Sequence, residues 1–129
     1  MSYNEVILEG IVNRDPIFFT FNNKERIELR VETIDNQFVS KDGEKKDIRV
    51  FHKVLVYGSF FVNNAKKENI CKNCHILLRG KLSNAIDSTG VVPGVYSILV
   101  STSNHYLKIT SNYFLTHKRS KVKDFIQNV

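Results

Sequence analysis

An all-β barrel with one short helix is the fold class this sequence predicts, and three observations predict it. Five runs rich in β-branched and aromatic residues fall at intervals between residues 5 and 100. Long polar stretches follow the second and the fourth run, and a single helical pattern stands between the third and the fourth. A five-stranded Greek-key barrel of the OB-fold type accommodates all three, whereas a sandwich needs more strands. The barrel domain is expected over residues 1–104, with residues 105–129 as a C-terminal extension ending in a basic tail.

The first run, Glu5 to Asn13, holds Gly10 in its middle, which marks a bulge or a sharp coil. Asp15-Pro16 breaks it, and Ile17 to Phe21 reads as a short strand or a continuation, closed by a turn at Asn22-Asn23-Lys24. The second run alternates cleanly. Ile27, Leu29, Val31 and Thr33 point inward, and Arg26, Glu28, Arg30 and Glu32 point outward as a mixed-charge, solvated face. Asp35 to Asp47 is polar around Lys41-Asp42-Gly43-Glu44 and reads as a long hairpin loop, with Phe38 alone inside it.

Ile48 to Tyr57 is the third and most strand-like run. Ser59 then caps a short helix reaching about Asn69, with Phe60, Phe61 and Ala65 as its apolar stripe. The fourth run, Ile76 to Leu82, places Ile76, Leu78 and Leu82 on its inner face. Ser83 to Gly94 holds Asp87-Ser88-Thr89-Gly90 and Pro93-Gly94 and reads as a second long loop. Tyr96 to Val100 is the fifth run. Beyond Ser103 the pattern weakens to one short strand at Lys108 to Thr110 and a basic helix or loose tail from Lys118 to Val129.

The third run carries the functional signal. Strand alternation puts Phe51, Lys53, Leu55 and Tyr57 on one face and Val50, His52, Val54 and Val56 on the other. The second face is mostly aliphatic and suits a core or a subunit interface. The first offers two rings that can stack on unpaired bases and an ammonium that can meet phosphates. Charge agrees: 19 Lys and Arg against 13 Asp and Glu leave +6, which favours a polyanionic partner. A hydrophobic fraction of 42% argues for a packed globule.

No apolar run approaches the roughly 18 residues of a membrane span. The N-terminus, Met1-Ser2-Tyr3-Asn4-Glu5, has neither a signal-peptide core nor the Arg-rich character of a transit sequence, so a cytoplasmic protein is expected.

Asn4-Glu5-Val6-Ile7-Leu8-Glu9-Gly10, then Arg14-Asp15-Pro16, resembles the opening of bacterial single-stranded-DNA-binding proteins. Phe51-His52-Lys53-Val54-Leu55-Val56-Tyr57-Gly58 resembles their third strand, and Leu78-Arg79-Gly80-Lys81-Leu82 their fourth. The resemblance runs in order from about Asn4 to Ser101. It implies that Phe38, Phe51 and Tyr57 stack on bases and that Lys53 contacts phosphate. With Arg30, Arg79 and Lys81 these make the candidate nucleic-acid-binding set. It also implies a homotetramer in which first strands pair between subunits and His52 lies at an interface. The partner is then single-stranded DNA, in replication, recombination and repair at the nucleoid. Two departures stand out. Ile86-Asp87 occupies the place of a family aromatic in the loop after the fourth strand. The end, Lys121 to Val129, is basic where family members carry an acidic, Phe-terminated tip that recruits replication and repair proteins.

Other chemistry has weaker support. Cys71-Lys72-Asn73-Cys74-His75 matches a haem-attachment motif and half a zinc site, but no second cysteine pair exists and a turn with two free thiols is the expectation. His52 has no nucleophile beside it in the sequence, and neither standard Gly-rich phosphate loop occurs. The expectation is a binding protein without enzymatic activity, metal or cofactor. A primosomal-type accessory protein or an RNA-binding OB domain would share the same barrel and stacking face.

Overall fold

The structure, a computed structural model, describes residues 2–112. Seven strands and one helix follow in the order β1 (Val6–Val12), β2 (Ile17–Phe21), β3 (Lys24–Val39), β4 (Lys45–Val56), α1 (Ser59–Lys67), β5 (Cys74–Asp87), β6 (Gly90–Val100) and β7 (Tyr106–Asn112). Five of the strands close on themselves. The ring runs β1-β3-β4-β6-β5 and returns to β1, with β4 and β6 parallel and every other pairing antiparallel. This is the OB-fold barrel expected from the sequence. β2 folds back onto β3 and β7 adds to β5, so the sheet continues past residue 105. The basic tail expected from Lys118 lies outside the described residues.

The inward alternation holds. Ile27, Leu29 and Val31 of β3 and Val54 and Val56 of β4 are buried, together with Val12, Ile76, Leu78, Ile98 and Val100. Each such side chain removed from water contributes roughly 1.5–3 kcal/mol. Gly10 sits where β1 passes from β5 to β3, and a Cβ there would lie 2.4 Å from the Glu32 carbonyl oxygen. The sharp coil that the sequence suggests at Gly10 is therefore the crossing that closes the barrel.

Both expected long loops are mostly strand. β3 and β4 stay paired out to Val39↔Lys45, leaving only Ser40–Glu44 as the tip of an extended arm. β5 and β6 stay paired to Asp87↔Gly90 around a two-residue turn at Ser88-Thr89. The reason is solvation. Beyond the barrel both faces of each ribbon meet water, so no apolar alternation is needed while the backbone ladder still satisfies its own N–H and C=O groups.

Two apolar assignments also change. α1 buries Phe61, Val62 and Ala65, while Phe60 is 74% exposed, because Val62 completes the stripe from the other side of Phe61. Ser59 does not cap the helix; Gly58 occupies the cap position and no side-chain bond is made there. Leu82 keeps the inner face, opposite buried Ile98, but is exposed there, since β1 stops pairing with β5 at Gly80 and leaves that end of the barrel uncovered.

Candidate nucleic-acid interface

Directly paired residues of neighbouring strands share a face. The register Glu28↔Leu55, Arg30↔Lys53 and Glu32↔Phe51 therefore joins the outer charges of β3 to the ring-bearing face of β4. That charged face of β3 is more than a solvated surface. The Arg26 guanidinium lies 4.1 Å from the Tyr57 ring centre, and Arg30 lies 5.4 Å from that of Phe51. Such stacking holds a cation beside an aromatic plane while leaving its N–H donors in reach of an anion. Arg30 is further steadied by donating from Nε to Asn13 Oδ1 at 2.6 Å. Phe51 remains 55% exposed, so its ring is open to a ligand.

Lys53 lies on this face but is not a free cation. Its Nζ is 3.4 Å from Glu28 Oε1, and Glu28 also pairs with Arg14. Glu32 likewise accepts from Arg49 at 2.6 Å. Two carboxylates thus sit among the cations of the surface, and a phosphate arriving at Lys53 has to compete with Glu28 for it.

Of the other residues expected from sequence, Lys81 lies on a row Glu28–Leu55–Leu99–Lys81 that crosses the outside of the barrel. It stands two strands from β4, about 10 Å at the usual strand spacing. Arg79 belongs elsewhere: it pairs in register with Ile7 and Tyr106 and forms an ion pair with Glu5 on the β1–β5–β7 side. Phe38 is also separated from Phe51. The ladder skips Asp35 between Ile34 and Asn36, so Phe38 comes opposite Lys46, in line with Ile48 and Val50 on the other face of β4. A one-residue slip exchanges faces, and this bulge makes one. His52 is on that other face as well, with Nε2 2.9 Å from Thr33 Oγ1.

Residues not singled out in the sequence line the same surface. Ile17, Phe19 and Phe21 of β2 border a groove of about 740 Å³, facing Leu55 of β4, Tyr57 directly after it and Ile86 of the β5–β6 arm. The sequence shows residues 17–21 as a short strand, but which of its faces joins this surface depends on how β2 folds onto β3.

The Cys71–Cys74 turn holds two free thiols, as expected, with their sulfurs 3.5 Å apart. Burial pushes the Cys74 thiol up to about 11, which keeps it protonated. Among the described residues no group of three His, Cys, Asp or Glu side chains gathers to hold a metal ion. Nor is any described helix long and apolar enough to cross a membrane.

No protein-family model and no curated protein matches this sequence. Solved structures do. A Plasmodium falciparum SSB in complex with ssDNA superposes with a TM-score of 0.70 at 20% identity, over 86% of this chain and 97% of that one. A deletion mutant of the single-stranded DNA binding protein from Thermus aquaticus gives 0.61 at 15% identity, over 86% and 52%. The small single-stranded DNA-binding protein from Streptomyces coelicolor gives 0.58 at 14% identity, over 84% and 94%. In closed ring, parallel β4–β6 contact and the one helix among the described residues, the chain has the OB-fold in the form these proteins take.

Proposed function

We propose that this protein binds single-stranded DNA with little sequence preference, across the outer face of β3 and β4. The observation that carries the reading is the pair of rings Phe51, on β4, and Tyr57, directly after it, each with a β3 guanidinium stacked beside it. Rings accept any base through its π-face, and neighbouring cations follow the phosphates. Lys53 and Lys81 are the lysines assigned to phosphate, Arg30 acts from its position on Phe51, and Arg79 takes an outlying place. Phe38 contributes from the β3–β4 arm if DNA wraps around its edge. The activity is binding without catalysis, and the setting is replication, recombination and repair in a nucleoid-associated cytoplasmic protein.

The assembly we assign is a homotetramer built through β1. In support, β1 meets β3 only at Ile11 and Val12, and Ile7 is 61% exposed. The strand edge from Val6 to Glu9 is then free to pair with its copy. The binding domain is assigned to residues 1–104. The C-terminal extension adds affinity through Lys118, Arg119, Lys121 and Lys123.

The experiment is native mass spectrometry with and without long oligo-dT, followed by affinity measurements on matched single-stranded DNA, RNA and duplex. A tetramer that takes up oligo-dT and prefers it to duplex supports the reading. Equal binding to duplex and single strand at moderate salt overturns it, and a preference for RNA moves the assignment to an RNA-binding OB domain.

A further inference from the structure

We propose that Cys71 and Cys74 form a reversible thiol–disulfide site, closed by exchange with a small disulfide such as oxidised glutathione. The inference goes beyond the DNA-binding reading and does not rest on it, since neither thiol belongs to the β3–β4 face.

The backbone supplies the geometry. The Cys74 N–H donates to the Cys71 carbonyl at 3.1 Å, so the two cysteines end a turn with Lys72 and Asn73 at its centre. Asn73 takes a φ of 75°, the left-handed conformation that such a turn accepts at its third residue. The ends of a turn lie within about 7 Å, a span that a disulfide can bridge. Both sulfurs fall on the same side of it. The Cys71 N–H donates to Cys74 Sγ at 3.2 Å, and the two sulfurs are 3.5 Å apart. Bonded sulfurs lie about 2 Å apart, so closure needs side-chain rotation within a turn that is already made.

The turn is anchored on three sides. Asn73 N–H donates to the Val12 carbonyl at the end of β1 at 2.8 Å, and Ile70 N–H to the Ala65 carbonyl of α1 at 3.1 Å. Cys74 itself opens β5 and pairs with Asn112 of β7. The thiols therefore stay adjacent while free, and the closed bond would clasp the segment after α1 to the start of β5.

Exposure divides the work. Cys71 is half-buried, whereas Cys74 is fully buried and its thiol is held protonated by that burial. Cys71 meets the reagent first. Its sulfur gives its proton to water and attacks one sulfur of the small disulfide, whose S–S bond breaks; the departing thiolate takes up a proton. Cys74 then loses its proton and attacks the Cys71 sulfur, releasing the second small thiol. Two protein thiols are oxidised and one small disulfide is reduced to two thiols. Contact between the sulfurs offsets the small thiolate fraction at Cys74. Reactive cysteines of exchange enzymes sit where a helix N-terminus or a nearby cation lowers the thiol pKa. This motif instead follows α1, and the raised Cys74 thiol is a poor leaving group, so the bond reopens slowly and the pair is no exchange catalyst.

The test uses the full chain in anaerobic glutathione buffers of rising oxidised fraction, quenched in acid, then alkylated in denaturant and weighed by intact mass. The expected product is a single chain that has lost two hydrogens and takes up no alkyl group, with both thiols restored by dithiothreitol. Cys74→Ala should instead accumulate one glutathione on Cys71. In folded Cys71→Ala, Cys74 should react about tenfold or more slowly than Cys71 does in Cys74→Ala. The proposal is overturned if the parent keeps both thiols free in fully oxidised glutathione, holds a lasting glutathione adduct, cross-links only between chains, or closes only in denaturant. Equal rates at the two thiols overturn it as well. Should a variant fail to fold, the parent measurement still decides.

Discussion

Arg26 and Tyr57 are stacked, with the guanidinium carbon 4.1 Å from the ring centre. One face of the ring is therefore occupied by a cation, and a base has only the other face and the ring edge to use. The stack also orders two side chains before any ligand arrives, which reduces the entropy that binding must offset.

Tyr57→Ala and Phe51→Ala should each weaken binding to oligo-dT by about 1–3 kcal/mol. Rings release no counterions, so the slope of log affinity against log salt should change little. Lys53→Ala should do the reverse, flattening the slope with a smaller loss. Titrations between 50 and 200 mM salt, on the order used to resolve such slopes, separate the two behaviours.

Glu28→Gln should tighten binding. Glu28 holds both Lys53 and Arg14 in the free protein and repels an incoming phosphate. Its removal frees two cations, and one unit charge at about 4 Å in water is worth roughly 1 kcal/mol. A gain of about fivefold at low salt is expected, fading as salt rises, while the melting temperature moves little because ion pairs still reached by solvent contribute little to stability. Unchanged affinity would mean that DNA does not reach Lys53.

Gly10→Ala and Gly80→Ala should destabilise the barrel. An added Cβ would lie 2.4 Å from the Glu32 carbonyl oxygen in the first case and 2.6 Å from that of Leu99 in the second. Both obstacles are backbone, so strands must shift, at a cost of about 1–3 kcal/mol each. Gly43→Ala meets no atom within 4 Å and tests instead the cost of its positive φ of 82°. Denaturant midpoints of the three variants should separate crowding from backbone strain.

Acid should loosen the turn before β7. His105 Nδ1 accepts hydrogen bonds from the backbone N–H of Ser101 at 3.0 Å and of Thr102 at 3.2 Å. Burial, then the charges of Lys81 and Arg79, hold its pKa below the usual 6.5. The folded state thus favours the neutral ring, and its contribution to stability is present above 6.5 and lost as pH falls through the lowered value. Protection factors of the Ser101 and Thr102 amides, taken relative to intrinsic exchange at each pH, should fall on acidification, and His105→Gln should remove that pH dependence.

The sequence by itself determined the closed part of this protein. Alternation in Ile27, Leu29 and Val31 and in Val54 and Val56 follows from burying one face of each strand, and it is readable because only one face is apolar. The same alternation identified the ring-bearing face of β4. Tertiary structure alone decided the rest. The β3–β4 and β5–β6 arms have water on both sides, so their strands carry no period, and polar residues there look like loop. Phe38 changes face through one skipped residue at Asp35, a property of the ladder and not of composition. Whether Lys53 is free or held by Glu28, and whether Phe19 faces Tyr57 or the solvent behind β3, depends on which strands become neighbours. Residues distant along the chain meet there through backbone pairing, and no local pattern records that meeting.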